Sequence, residues 1–291
     1  MDIPRFCELP DDLADLDSAV AAVLPIPYDR TSTWKKGADG GPRAILEASH
    51  HIEWYDVATG RETCRLGIAT LPPVSTDAGP EVLADLVDER LTELFDRGVL
   101  PVALGGDHSV SIGAIRAAAR AFPGLSVLQI DAHADTRDSY AGSSFNHACV
   151  MARAREWCPV VQVGIRAVDA DEVDRLDPER VVWGHQINGP AAEPDWQNRV
   201  LDRLGGPVYV TIDLDGFDPS VVPATGTPEP GGLDWYQGVS LLERVAAERR
   251  VVGFDVVELC PVAGQWASEF FAAKLVYRFL SQILAGHQPS K

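Results

Sequence analysis

At 291 residues, 46% of them hydrophobic, the chain can bury a large core and fits one large α/β unit over residues 1–291 better than two small ones. Its 43 acids against 25 bases leave a formal net charge of −18, which argues against nucleic acid or an anionic membrane as a partner. Five scattered cysteines (Cys7, Cys64, Cys149, Cys158, Cys260) without C-x-x-C spacing, an acidic start unlike a signal peptide, and no apolar run of membrane-spanning length predict a reduced, cytoplasmic protein.

In chain order the pattern opens with a strand at 19–26, an irregular segment at 27–40 and a helix near 41–50. A strand at 66–71 precedes a helix at 81–97, where EVLADLVDERLTELF carries apolar residues at helical spacing. The strand at 99–104 runs into LGGDHS, and the helix at 109–121 stops before Pro123 and Gly124. A strand at 126–131 enters DAHAD, followed by an irregular stretch at 136–146 and a helix at 147–156. Strands at 159–164 and 180–184 alternate with helices at 170–175 and 192–204. The strand at 207–213 ends in TIDLDGFDP, and an irregular stretch at 216–233 leads to a helix at 234–248, a strand at 251–257 and a helix at 267–284. Alternating strands and helices imply βαβ units with right-handed crossovers and a mostly parallel sheet covered on both faces. Long irregular segments in such a domain tend to be functional, so 27–40, 136–146 and 216–233 are read as pocket walls.

Six residues with metal-binding side chains fall at the ends of three of these strands: His108; Asp131, His133 and Asp135; Asp213 and Asp215. Ligands bind beyond the carboxyl ends of strands in open α/β sheets. One aspartate after a strand is usually a turn former or a helix cap, and a lone histidine is usually structural. Three clusters together resist that explanation, because four carboxylates aimed at one place repel one another. In an extended segment i, i+2 and i+4 point the same way, which predicts convergence within DAHAD and DLD. Carboxylates and imidazoles without thiolates suit Mn²⁺ over structural zinc, with Mg²⁺ as the alternative. Six side chains fill two coordination spheres only if some bridge. A water between two such ions would ionise near neutral pH and act as a nucleophile, so metal-assisted hydrolysis follows.

LGGDHS, DAHAD and the run from Asp213 to Gly232 resemble the ureohydrolase family of arginases, agmatinases and related guanidino hydrolases. The resemblance covers nearly the whole chain, from IPYDRTSTWKKGADGGPRAI to VVGFDVVELCP and the last helix; DTRDSYAGSSFNHACVMAR and VPATGTPEPGGL look like agmatinases. It implies a three-layer α/β/α fold with an eight-stranded parallel sheet, two Mn²⁺ per chain and a trimer or hexamer. It also implies that His108 and Asp135 bind one ion, His133 and Asp215 the other, with Asp131 and Asp213 bridging, and that a bridging hydroxide attacks the guanidinium carbon. Glu258 matches the residue that pairs with the guanidinium, His147 the histidine that relays protons or contacts substrate, and Asp169 a contact to the substrate's amino group. Arginases carry an asparagine where this chain has Arg137, which removes a contact to an α-carboxylate. The expected substrate is therefore a small cationic guanidino compound: agmatine, giving urea and putrescine, with its aminopropyl derivative next. 4-Guanidinobutyrate is the rival and L-arginine is disfavoured. Asp138, Asp169 and Glu229 are acids that could meet a cationic tail; Arg137 could meet an anionic one unless Asp138 neutralises it. A single-zinc deacetylase-like enzyme or an inactive relative would have lost ligands, and none is missing.

Overall fold

All eight apolar runs form strands, and each lies within two residues of its expected bounds, in a computed structural model that describes residues 3–190 and 192–287. They are β1 (Ala21–Ile26), β2 (Ile68–Thr70), β3 (Leu100–Gly105), β4 (Ser126–Ile130), β5 (Val160–Ile165), β6 (Val181–Trp183), β7 (Pro207–Asp213) and β8 (Arg250–Val257). Every neighbouring pair is parallel, and the spatial order is β2-β1-β3-β8-β7-β4-β5-β6. The last strand thus enters the middle of the sheet. That insertion makes β3, β8, β7 and β4 four consecutive neighbours, and these are the strands whose ends carry His108, Glu258, Asp213 and Asp131.

Strand alternation divides the core into two layers. Val23, Phe254, Val256, Val210, Ile212, Leu128 and Ile130 pack on one face beneath α1 (Gly41–Ser49), α5 (Trp196–Arg203), α6 (Trp235–Glu248) and α7 (Ala267–Ile283). Ala22, Leu24, Ile26, Val127 and Tyr209 pack on the other beneath α2 (Pro80–Asp96), α3 (Val110–Ala121) and α4 (Val150–Ala154). With both faces covered, the strands read as apolar runs, as buried parallel sheets do. The helix expected at 147–156 is a 3₁₀ turn, His147–Cys149, leading into the short α4. A two-stranded hairpin (Tyr55–Asp56 with Arg61–Glu62) and a short helix (Gly184–Ile187) were not expected from the sequence. All five cysteines are free and buried, and no described helix is long and apolar enough to cross a membrane.

Candidate metal centre and active site

The ligand clusters converge by turns, which corrects the expected extended alternation. The ladder stops at Ile130, and Asp135 takes a left-handed φ of 53°. Asp213 closes β7, and Asp215 follows within a 3₁₀ turn, Leu214–Gly216. The carboxylates themselves make these turns: Asp131 Oδ1 accepts from the His133 amide (2.6 Å) and Asp213 Oδ1 from the Asp215 amide (2.8 Å). An aspartate bonding the amide two residues on is a tight local turn, and it folds side chains i and i+2 over one point.

Two overlapping triads result: His108 with Asp131 and Asp213, and Asp131 with His133 and Asp215. Asp131 belongs to both, whereas Asp213 falls in the first alone. His108 Nδ1 lies 3.0 Å from Asp135 Oδ2, 3.2 Å from Asp131 Oδ2 and 3.5 Å from Asp213 Oδ2. His133 Nδ1 lies 3.0 Å from Asp215 Oδ2 and 3.6 Å from Asp131 Oδ1. All but His133 are buried. His108 Nδ1 is a buried polar atom without a hydrogen-bond partner, while its Nε2 is taken by Thr211 Oγ1 at 2.9 Å. Burial lowers the His108 and His133 pKa values, but the carboxylates around them win and push both well above the usual range. Burial and neighbouring aspartates push Asp213 well up and Asp135 up to about 6. Without cations the cluster must therefore hold protons. An orphaned Nδ1 facing several carboxylates, with proton-hungry acids around it, fits divalent ions of hard to borderline character.

Beside the cluster opens a cavity of about 480 Å³, walled by all three irregular segments: Ser32 to Lys35 from 27–40, Arg137 and Tyr140 from 136–146, and Gly226, Thr227 and Glu229 from 216–233. Glu258 lines it from the end of β8, with a φ of 64°. Its amide donates to Gly106 O (2.8 Å) and its Oε1 accepts from the His108 amide (2.7 Å). Burial, then Asp107, raises its pKa well above the usual carboxylate range. His147 lines the cavity too. Its amide donates to Thr31 Oγ1 and its Nδ1 lies against the same hydroxyl, both at 3.1 Å. Burial, then the imidazoles of His108 and His133, lowers its pKa to about 4.

The tail end of the cavity differs from expectation in one contact. Arg137 is paired with Asp169 and, at 3.4 Å, with Glu172, and it stacks over Tyr140. Asp138 instead meets Arg175 at 2.9 Å, so Asp138 is not what neutralises Arg137. Asp169 lines the cavity at the N-cap of the short helix Ala170–Val173, with its carboxylate engaged by Arg137. Glu229 makes no ion pair among the described residues.

Sequence reading missed the supporting shell. Arg166 donates to the carbonyls of Asp215, Glu229 and Gly164, tying the 216–233 wall to the DLD turn. Asp107, fully buried, accepts from the Thr31 amide at 2.8 Å and so anchors the 27–40 wall under His147. A Cβ on Gly106 would sit 1.9 Å from Tyr28 O, so only glycine lets that wall approach β3. Asp107 was visible inside LGGDHS; Thr31 and Arg166 act through partners far along the chain and left no local signal.

A family model described as the arginase family matches residues 19–281. The chain is 40% identical over 276 residues to the N(1)-aminopropylagmatine ureohydrolase of Synechocystis, covering 90% of this chain and 88% of that one. It is 34% identical over 281 residues to the agmatinase of Pyrococcus horikoshii, covering 93% of each. The crystal structure of the agmatine ureohydrolase of Thermoplasma volcanium superposes with a TM-score of 0.87 at 29% identity, covering 99% of this chain and 98% of that one.

Proposed function

The chain belongs to the arginase family, and from that membership we propose that it releases urea from a guanidino compound with a cationic tail, N(1)-aminopropylagmatine ahead of agmatine, with two Mn²⁺ ions at the His/Asp cluster. It is a ureohydrolase, acting on C–N bonds other than peptide bonds. The observation that carries the site assignment is Glu258: a buried carboxylate on the cavity wall, fixed by the His108 amide beside the two triads.

His108 and Asp135 would hold one ion and His133 and Asp215 the other, with Asp131 and Asp213 available to both. Ions there supply a deprotonated water near neutral pH and positive charge against the transition state. Glu258 would pair with the planar guanidinium and turn its carbon toward the cluster, the geometry that charge-assisted, bidentate pairing favours. Water adds to that carbon, the bond to the tail nitrogen breaks, and the products are urea and a free amine, which must gain a proton as it leaves. His147 is placed for that transfer. The Thr31 hydroxyl, accepting from the His147 amide, donates to Nδ1; the ring proton then sits on Nε2, available to the cavity. Burial and the imidazoles of His108 and His133 disfavour the charged ring, so the proton it hands to the amine must be replaced by one taken from the added water, and the imidazole ends each turnover neutral.

Two observations favour a cationic tail. Arg137, the residue that would favour an anion, is neutralised by Asp169 and Glu172, and Glu229 lines the cavity with a carboxylate that makes no ion pair among the described residues. The relative with the aminopropyl-extended substrate is also the more similar, 40% against 34% for the agmatinase. One residue favours the second reading, a guanidino acid: Lys35 lines the cavity and has no carboxylate partner among the described residues. Urea release from N(1)-aminopropylagmatine, agmatine, 4-guanidinobutyrate and L-arginine decides the matter. A wrong-signed tail leaves charges unpaired, so the preference should be steep. The expected order runs as written in kcat/KM; guanidinobutyrate in first place, with that preference lost in Lys35→Met, would establish the second reading instead.

A further inference from the structure

Two glutamines stand in the middle of otherwise apolar strands, Gln129 on β4 and Gln162 on β5, directly opposite each other in the parallel register and both fully buried. A buried amide costs several kcal/mol unless its groups are paired. Here every group is. Gln129 Nε2 donates to Asp131 Oδ2 (2.7 Å) and to His133 O (3.3 Å). Gln129 Oε1 accepts from Gln162 Nε2 (2.6 Å), which also donates to Ala134 O (2.8 Å). Gln162 Oε1 accepts from Arg155 Nη2. Arg155 is half-buried at the end of α4, and its other contact is the carbonyl of Arg175 at 2.6 Å.

The direction of this chain is forced. A guanidinium only donates, so the Gln162 oxygen must face Arg155 and its nitrogen must face Gln129. The Gln129 oxygen must then accept, which leaves its nitrogen for Asp131. Each Asp131 oxygen thus receives one N–H, Oδ1 from the His133 amide and Oδ2 from Gln129, and keeps a lone pair on each side. Oδ2 lies 3.2 Å from His108 Nδ1 and Oδ1 3.6 Å from His133 Nδ1, one histidine from each of the two triads that share Asp131. The same amides hold the carbonyls of His133 and Ala134, which shapes the turn that delivers Asp135.

We propose that Arg155, Gln162 and Gln129 are positioning residues that set Asp131 as a carboxylate shared between two metal ions, with Arg155 fixing the orientation of both amides from outside the pocket. This rests on the two-ion reading above. Groups that orient metal ligands typically matter 10–100-fold in metal affinity.

The test is titration of metal-free, full-length protein with Mn²⁺, by calorimetry and by elemental analysis after dialysis, alongside the melting temperature of each metal-free variant. Wild type should take up two ions. Arg155→Met should weaken the second ion by roughly 10–100-fold, a loss larger than the modest drop in metal-free stability expected from leaving Gln162 Oε1 unpaired. Arg155→Lys, which keeps a donor, should recover most of that loss, and Gln129→Met should show the largest effect. Wild-type affinity in Arg155→Met overturns the proposal whether or not Gln129→Met folds. So does an affinity loss matched by lost metal-free stability, which would make the network ordinary packing. A wild type that binds a single ion fails earlier, at the two-ion reading itself.

Discussion

Glu258 is a residue whose surroundings work against its ionised form. Burial and Asp107 raise its pKa, and the hydrogen bond it accepts from the His108 amide, with the His108 charge, offsets only part of this. Such a carboxylate is poised for a cation: a guanidinium supplies the missing charge and two more donors. Its left-handed backbone, uncommon outside glycine, persists because the amide is tied to Gly106 O on the neighbouring strand. Glu258→Gln keeps shape and removes the charge. It should lower kcat/KM by at least the 10²-fold typical of a misoriented reactant, with metal content unchanged. Near-normal urea release from that variant would remove Glu258 from the substrate site. The six residues proposed as ligands and Glu258 stood out in the sequence because their clusters fall at or just beyond strand ends. Asp169 was less so: it sits at once on the cavity wall, at a helix start and against Arg137, and no local pattern ranks those roles.

At the scale of elements, all eight strands could be read because burial on both faces leaves uninterrupted apolar runs. Their order could not be read from alternation alone. Nothing in VVGFDVVE says that the last strand inserts between β3 and β7, yet this insertion brings Glu258 beside His108. The ladder ends were misjudged as extended because carboxylate-to-amide bonds two residues apart beat strand geometry there. Helix packing supplies a sharper test. A Cβ on Gly113, within α3, would lie 2.3 Å from the carbonyl oxygen of Ala84 in α2, and a backbone atom cannot swing aside. Alanine gains up to about 1 kcal/mol of helix propensity over glycine. Overpacking costs about 1–3 kcal/mol, so the clash should win. Urea denaturation of Gly113→Ala should show a net loss of roughly 1–2 kcal/mol; an unchanged or raised midpoint would mean that α2 can shift away from α3.

For the whole molecule, the His/Asp cluster links stability to pH. In the metal-free fold His108 and His133 bind protons more tightly than in the unfolded chain, and burial makes Asp213 and Glu258 do the same. A group whose pKa is raised on folding contributes stability below its unfolded pKa and loses it as pH climbs through the folded value. Asp131 runs the other way, lowered by the histidines against its burial, and its contribution is lost only in strong acid. Asp135, raised to about 6, has lost most of its share by neutral pH, and His147, lowered to about 4, changes little above it, so the two raised histidines with Asp213 and Glu258 decide, and the metal-free protein should lose stability as pH rises from neutral toward alkaline. Metal ions held at the deprotonated cluster would displace those protons, so their stabilisation should grow over the same range. Thermal unfolding from pH 6 to 8.5, with and without saturating Mn²⁺, should show the gap between the two melting temperatures widening with pH. A gap that is constant or shrinks would mean that the ions do not displace those protons, and that the cluster is not where they bind.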